Sequence, residues 1–153
     1  VPFHKILVFS QFVAMLDLVK KELEKRNIPF EYLTGQTKDR ASKVNSFQER
    51  DDVRVFLISL KAGGTGLNLT EADYVFIVDP WWNPAVENQA IDRCYRIGQK
   101  KNVVAIRLIC PHTIEEKIMK MQAAKSKLVT DLIRTEDDVF RSLSKQDLLA
   151  MLR

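Results

Sequence analysis

The sequence predicts an α/β fold with a mostly parallel sheet, and three observations carry that prediction. Apolar runs of strand length alternate with segments whose apolar residues recur at helical spacing. The connections between them are short. A glycine-rich loop follows one of the strand-like runs, which is where parallel sheets place their ligand sites.

Taken in order, Lys5 to Ser10 reads as a buried strand, because Ile6, Leu7, Val8 and Phe9 form an unbroken apolar run. Phe12, Leu16, Val19 and Leu23 then fall on one helical face, with Lys20, Lys21, Glu22 and Glu24 turned outward. Asn27 and Pro29 close that helix. Phe30 to Leu33 is a short strand ended by Gly35. Thr37 to Glu49 predicts a second helix with Ala41, Val44, Phe47 and Gln48 on its inner side. Val53 to Ser59 is a strong strand that feeds the loop Lys61 to Gly66. A further strand, Tyr74 to Asp79, runs into Pro80-Trp81-Trp82-Asn83-Pro84. The Asn83 side chain suits an N-cap and Pro84 the first helical position, so a helix is expected from Pro84 to about Ile97. Val103 to Ile109 is the last strand.

The rest of the chain changes character. Thr113 to Glu116 is a capping box that opens a long helix to about Ile133, with Ile114, Ile118, Met121, Leu128 and Leu132 as its packing face. An acidic joint, Thr135 to Asp138, precedes a short terminal helix, Leu148 to Leu152. The expected division is an α/β lobe over residues 1–111 and a helical extension over residues 112–153.

Composition narrows the classes. With 153 residues, 46 % of them hydrophobic and 29 % charged, the chain has enough apolar surface for one domain with its own core. The longest apolar runs, such as Ile6 to Phe9 and Val75 to Val78, fall far short of the ~20 residues a membrane-spanning helix needs. Cys94 and Cys110 lie far apart without a CxxC or paired histidines, which argues against structural zinc and for a reducing intracellular compartment. That compartment would be the cytoplasm or nucleoid of a prokaryote, toward which the compact spacing leans, or a eukaryotic nucleus. The net charge of +4 permits an anionic partner without establishing one.

Two clusters carry candidate chemistry. In Ser59-Leu-Lys61-Ala-Gly-Gly-Thr-Gly66-Leu-Asn68, glycines would let backbone amides approach phosphates, and Asn68 could reach a sugar hydroxyl. A tight strand-to-helix turn without a ligand has the same composition, so the loop alone leaves both readings open. It is not a Walker A loop, because no GxxxxGK[ST] string exists in the chain. In the second cluster Gln89, Arg93 and Arg96 stand at i, i+4 and i+7 of one predicted helix and share a face. Guanidinium forks suit the charge spread over a transferring γ-phosphate. Surface ion pairs of these arginines with Asp92 or Glu87 are the competing reading. Asp79 ends an apolar strand like a metal-binding aspartate, but Pro80 follows it where a second carboxylate would stand, so Asp79 reads as structural or as positioning the Trp82 loop.

Joined in this order, the clusters resemble the Swi/Snf family of DNA-dependent ATPases within helicase superfamily two. The likeness runs from Lys5 to about Ile133. Leu7-Val-Phe-Ser-Gln11-Phe12 is similar to the family's motif IV, and Tyr32 to Lys38 with Arg40 and Phe47 to the segment after it. Leu57 to Thr70 resembles motif V, and Asp79 to Pro84 followed by Gln89 to Gln99 resembles motif VI with its lead-in. Trp81 departs from the family, which is often polar there, and its role stays open.

The resemblance implies a RecA-like second lobe that holds half of a split ATP site. Arg96 would be the arginine finger, Arg93 its companion, and Gln89 a link between ATP and the partner lobe. Gly66 and Asn68 would face the nucleotide. Gln11, Arg40, Ser59 and Lys61 would lie near the DNA backbone, with Trp82 against the duplex or, equally, covering the sheet edge. ATP would bind with magnesium held by the missing N-terminal lobe, so no metal ligand is expected here and the isolated chain should be inactive. Partners implied are double-stranded DNA, that N-terminal lobe, and a DNA-bound protein as the remodelling target; no membrane is expected. A non-catalytic nucleic-acid-binding module and a protein-interaction lobe of the same fold are the alternatives, and neither needs two arginines on one helical face.

Overall fold

In the computed structural model, which describes residues 3–63, 66–81, 83–92 and 100–129, strands and helices alternate along the chain. The elements are β1 (Ile6–Ser10), α1 (Val13–Lys25), β2 (Phe30–Leu33), α2 (Arg40–Glu49), β3 (Val55–Ser59), α3 (Leu60–Gly63), β4 (Tyr74–Ile77), α4 (Pro84–Asp92), β5 (Val104–Arg107) and α5 (Ile114–Val129). The described strands form one sheet in the order β2-β3-β1-β4-β5, and every pairing in it is parallel. The expected mostly parallel sheet is thus parallel throughout its described part.

β1 lies at the centre, and its side chains alternate between two cores. Leu7 and Phe9 face a large cluster with Phe47 of α2, Phe56, Ile58, Leu69, Val75 and Ile77, against which Val86 and Ile91 of α4 also pack. Val8 faces the other way, with Leu57 and Leu16 of α1. Burial on both faces explains why these strands read as unbroken apolar runs rather than alternating ones. β5 stands at the sheet edge, and Val104 and Leu108 there are exposed.

Capping decides where the helices begin and end. α1 closes at Asn27, whose φ of 53° is left-handed, and the Ile28 amide turns back to the Leu23 carbonyl at 3.0 Å. α2 starts at Arg40 rather than at Thr37. The Thr37 hydroxyl instead accepts from the Thr34 amide at 2.9 Å in a separate turn, and the Asp39 carboxylate caps the Ser42 amide at 3.0 Å. Ala41, expected on the inner side of α2, is exposed, whereas Phe47 is fully buried. The far end of α2 rests on buried Lys5, whose ammonium donates to the carbonyls of Phe47, Gln48 and Arg50. Burial pulls the Lys5 pKa below its ordinary value.

At α5 the capping box is shifted by one residue. Glu116 accepts from the His112 amide at 2.9 Å and Glu115 from the Cys110 amide at 2.9 Å, while the Thr113 hydroxyl accepts from the Glu115 amide at 3.2 Å. The expected ends of α4 near Ile97 and of α5 near Ile133, and the terminal helix from Leu148 to Leu152, lie outside the described residues.

Candidate functional site

A parallel sheet points all its carboxyl ends to one edge, and the strand order decides which loops meet there. The connection leaving β1 runs toward β2 at one side of the sheet, and the one leaving β4 runs toward β5 at the other. The carboxyl ends of β1 and β4 are therefore the topological switch point. Along the same edge the order β2-β3-β1-β4 sets the segments bearing Arg40, then Ser59 and Lys61, then Gln11, then Pro80-Trp81 side by side.

At the switch point sits Asp79, 4 % exposed. Its carboxylate accepts from the Ser10 hydroxyl and, at 3.0 Å, from the Gln11 amide. The Ser10 oxygen also accepts from the Phe12 amide at 3.0 Å. The turn after β1 that carries Gln11 is thus fixed by a carboxylate at the end of β4. Asp79 therefore has a structural role, holding the Gln11 turn, while Trp82, the other feature it was expected to position, lies outside the described residues.

The glycine loop begins in α3. Gly63 is tightly packed: a Cβ there would stand 3.0 Å from Cε1 of Phe9, so that ring would have to give way. Gly66 has a φ of +63° and open space where its Cβ would stand. Leu67 and Leu69 are buried on either side of exposed Asn68, so the loop is anchored with that amide facing out. Lys61 is exposed for the same reason, between buried Leu60 and Ala62. Ser59 is 3 % exposed and its hydroxyl accepts from the Ala62 amide at 3.4 Å, so here it shapes the start of the loop. Arg40 and Gln11 are half-buried. Gln89 is exposed on α4.

Asn83 caps α4 as expected, its side-chain oxygen accepting from the Ala85 amide at 2.9 Å. Arg93, Arg96 and Trp82 lie outside the described residues. Glu87, offered as a surface partner for those arginines, is instead fully buried. One of its oxygens accepts from the Trp81 amide at 2.8 Å and the other from Arg107 Nε at 2.5 Å. The Trp81 carbonyl in turn accepts from the amide of Gln122 on α5. Sequence reading misses Glu87, Arg107 and Gln122 as a set. The available signal is that Glu87 stands four residues before Ile91, on the inward face of α4, where a carboxylate needs a partner.

Among the described residues no helix is long and apolar enough to cross a membrane, and no group of three or more His, Cys, Asp or Glu side chains is arranged to hold a metal ion.

A parallel sheet of this order with a glycine loop after β3 and a capped helix after the Pro-Trp segment defines a helicase-type C-terminal lobe. The chain belongs to that family: the model of the helicase conserved C-terminal domain matches residues 2–98. It is 42 % identical over 146 residues to the ATP-dependent helicase rhp16 of Schizosaccharomyces pombe, covering 94 % of this chain and 17 % of that protein. It is 48 % identical over 132 residues to the DNA repair protein RAD5 of Cryptococcus neoformans, covering 84 % of this chain and 11 % of that one. The crystal structure of the C-terminal part of the Fun30 ATPase domain superposes with a TM-score of 0.75 at 40 % identity, over 77 % of this chain and 39 % of that one. Within the family the chain is a C-terminal RecA-like lobe of the Swi/Snf type. It spans less than a fifth of the length of these two relatives.

Proposed function

We propose that this chain is the second motor lobe of an ATP-dependent double-stranded DNA translocase or remodeller, working inside the cell and inactive without its N-terminal lobe. The observation that carries the reading is the family match over residues 2–98, which spans the glycine loop and the sequence positions of Gln89, Arg93 and Arg96. ATP bound between the lobes would supply the phosphoryl-transfer energy. On this chain's side, support for a nucleotide comes from the open backbone at Gly66 and the outward-facing amide of Asn68, with Gln89 exposed on α4. Arg96 would neutralise charge developing on the transferred phosphoryl group, with Arg93 beside it. Magnesium would be held by the missing lobe, since the Asp79 carboxylate is engaged by Ser10 and Gln11.

The DNA side would be the segments set along the carboxyl edge: Arg40, the Ser59–Lys61 turn, Gln11, and Trp82 beyond β4. Residues 112–153 would form a helical extension bracing the two lobes. Opening and closing of the lobes would step the protein along one DNA strand without separating the duplex, and a DNA-bound protein would be the load. With the proposed ATP and DNA elements on one sheet edge, a movement at one would be passed through the strands to the other.

The test is ATP hydrolysis by the parent polypeptide with and without duplex DNA, comparing wild type with Arg96→Ala. The expected result is DNA-stimulated turnover that falls by about 10³-fold or more while ATP binding persists. Unchanged turnover in the variant would rule out the arginine-finger role and leave a DNA-binding module.

A further inference from the structure

A fully buried carboxylate in a motor lobe has to be explained by what it holds. Glu87 lies in the first turn of α4, where the helix dipole favours a negative charge. Its two oxygens point to different elements. One accepts from the amide of Trp81 at 2.8 Å, and the other from Arg107 of β5 at 2.5 Å. The Trp81 peptide segment is held from a second side as well, its carbonyl accepting from Gln122 of α5, which is 7 % exposed. Trp81 therefore has its N–H fixed by the carboxylate on α4 and its C=O fixed by α5. The segment so clamped leads directly to Trp82, while the helix that clamps it leads directly to Arg93 and Arg96.

We infer that Glu87 is a positioning residue, and that Gln122, Trp81, Glu87 and Arg107 form a linkage through which α5 sets the loop after β4 and helix α4 together. Glu87 touches neither nucleotide nor DNA in this scheme. It sets the rotation and height of α4 on the sheet, because a short carboxylate bonded to both a strand-edge guanidinium and a loop amide leaves that helix turn one position. Gln122 adds the second constraint: α5 grips the loop through a neutral hydrogen bond, so a shift of α5 is transferred to Trp81 and from there to Glu87. The inference rests on the motor-lobe reading for its effect on turnover, but the linkage itself does not.

Two readouts on the full parent protein keep these apart. Hydrogen–deuterium exchange of wild type and Gln122→Ala, read on peptides from residues 80–92, tests the linkage directly. Exchange there should accelerate, with the strand peptides of β1 and β3 unchanged. ATP turnover of Glu87→Gln tests its consequence: kcat should fall by about 10- to 100-fold, as for a small misplacement of a catalytic group, with KM for ATP within about twofold of wild type. Arg96→Ala serves as the reference. Unchanged exchange over residues 80–92 in Gln122→Ala overturns the linkage. Unchanged kcat in Glu87→Gln, when Arg96→Ala has lost turnover, overturns the positioning role. Full turnover in Arg96→Ala sinks the motor-lobe reading instead, and exchange then still decides the linkage.

Discussion

Tyr32 shows how one side chain ties two elements together. Its hydroxyl donates to Asp17 of α1 at 2.6 Å, and the ammonium of Lys20 lies 5.4 Å from its ring centroid. Burial, with the Asp17 hydrogen bond added, pushes the phenol pKa from 10.0 up to about 12. Between those values the unfolded chain loses the phenol proton while the native state keeps it, so the native state binds more protons there. The stability this bond contributes is present below pH 10.0 and is lost as pH rises toward about 12. Tyr32→Phe should cost about 1 kcal/mol near neutral pH and flatten that alkaline decline, as measured by denaturant midpoints at matched pH values. An equally steep decline in the variant would assign it to other groups. Glu87 makes the same point in a deeper setting: its type is plain in the sequence, but its partners come from an edge strand and a loop.

Among the elements, the turn after β1 depends on a residue far along the chain. Asp79 accepts with its two oxygens from the Ser10 hydroxyl at the end of β1 and the Gln11 amide that follows it. Asp79→Ala removes the acceptor of the Gln11 amide and leaves the Ser10 hydroxyl only the Phe12 carbonyl at 3.2 Å, which should cost about 1–3 kcal/mol in chemical denaturation. It should also weaken duplex binding by the parent protein if Gln11 lies at the DNA. A stability loss with unchanged DNA affinity would separate the turn's structural role from the proposed contact. The start of α2 has a similar logic on a local scale: Thr34 and Thr37 close their own turn, and Asp39 becomes the cap. Both Thr37 and Asp39 are good helix-starting types, so the order of residues leaves the start of α2 ambiguous between them.

For the whole molecule, the net charge of +4 is too small to define a binding face by itself. Topology adds a place for an anionic partner to be tested, since the order β2-β3-β1-β4 sets the segments of Arg40, Lys61 and the neutral Gln11 along one edge. Exposed Lys61 is the simplest probe of that edge. Lys61→Ala in the parent protein should reduce the magnitude of the slope of log K against log salt for duplex DNA by about 0.9, as expected when one lysine no longer neutralises a phosphate. Weaker binding with an unchanged slope would mean that Lys61 acts through the fold of the loop. Because this lobe supplies only part of the proposed ATP site, such measurements belong to the full polypeptide.

The α/β class, most strand positions, the Asn83 cap and the motif set that leads to the family are all legible in the order of residues. These depend on local chemistry, namely apolar runs, helical periodicity, capping types and glycine placement, and each is written in neighbouring residues. Tertiary structure was needed for the strand order, the switch point between β1 and β4, the commitment of Asp79 to the Gln11 turn, and the burial of Glu87 between Trp81 and Arg107. Those features join residues such as Ser10 and Asp79 that are distant in sequence, and hydrogen bonding between buried groups becomes specific only once the sheet has brought them within reach.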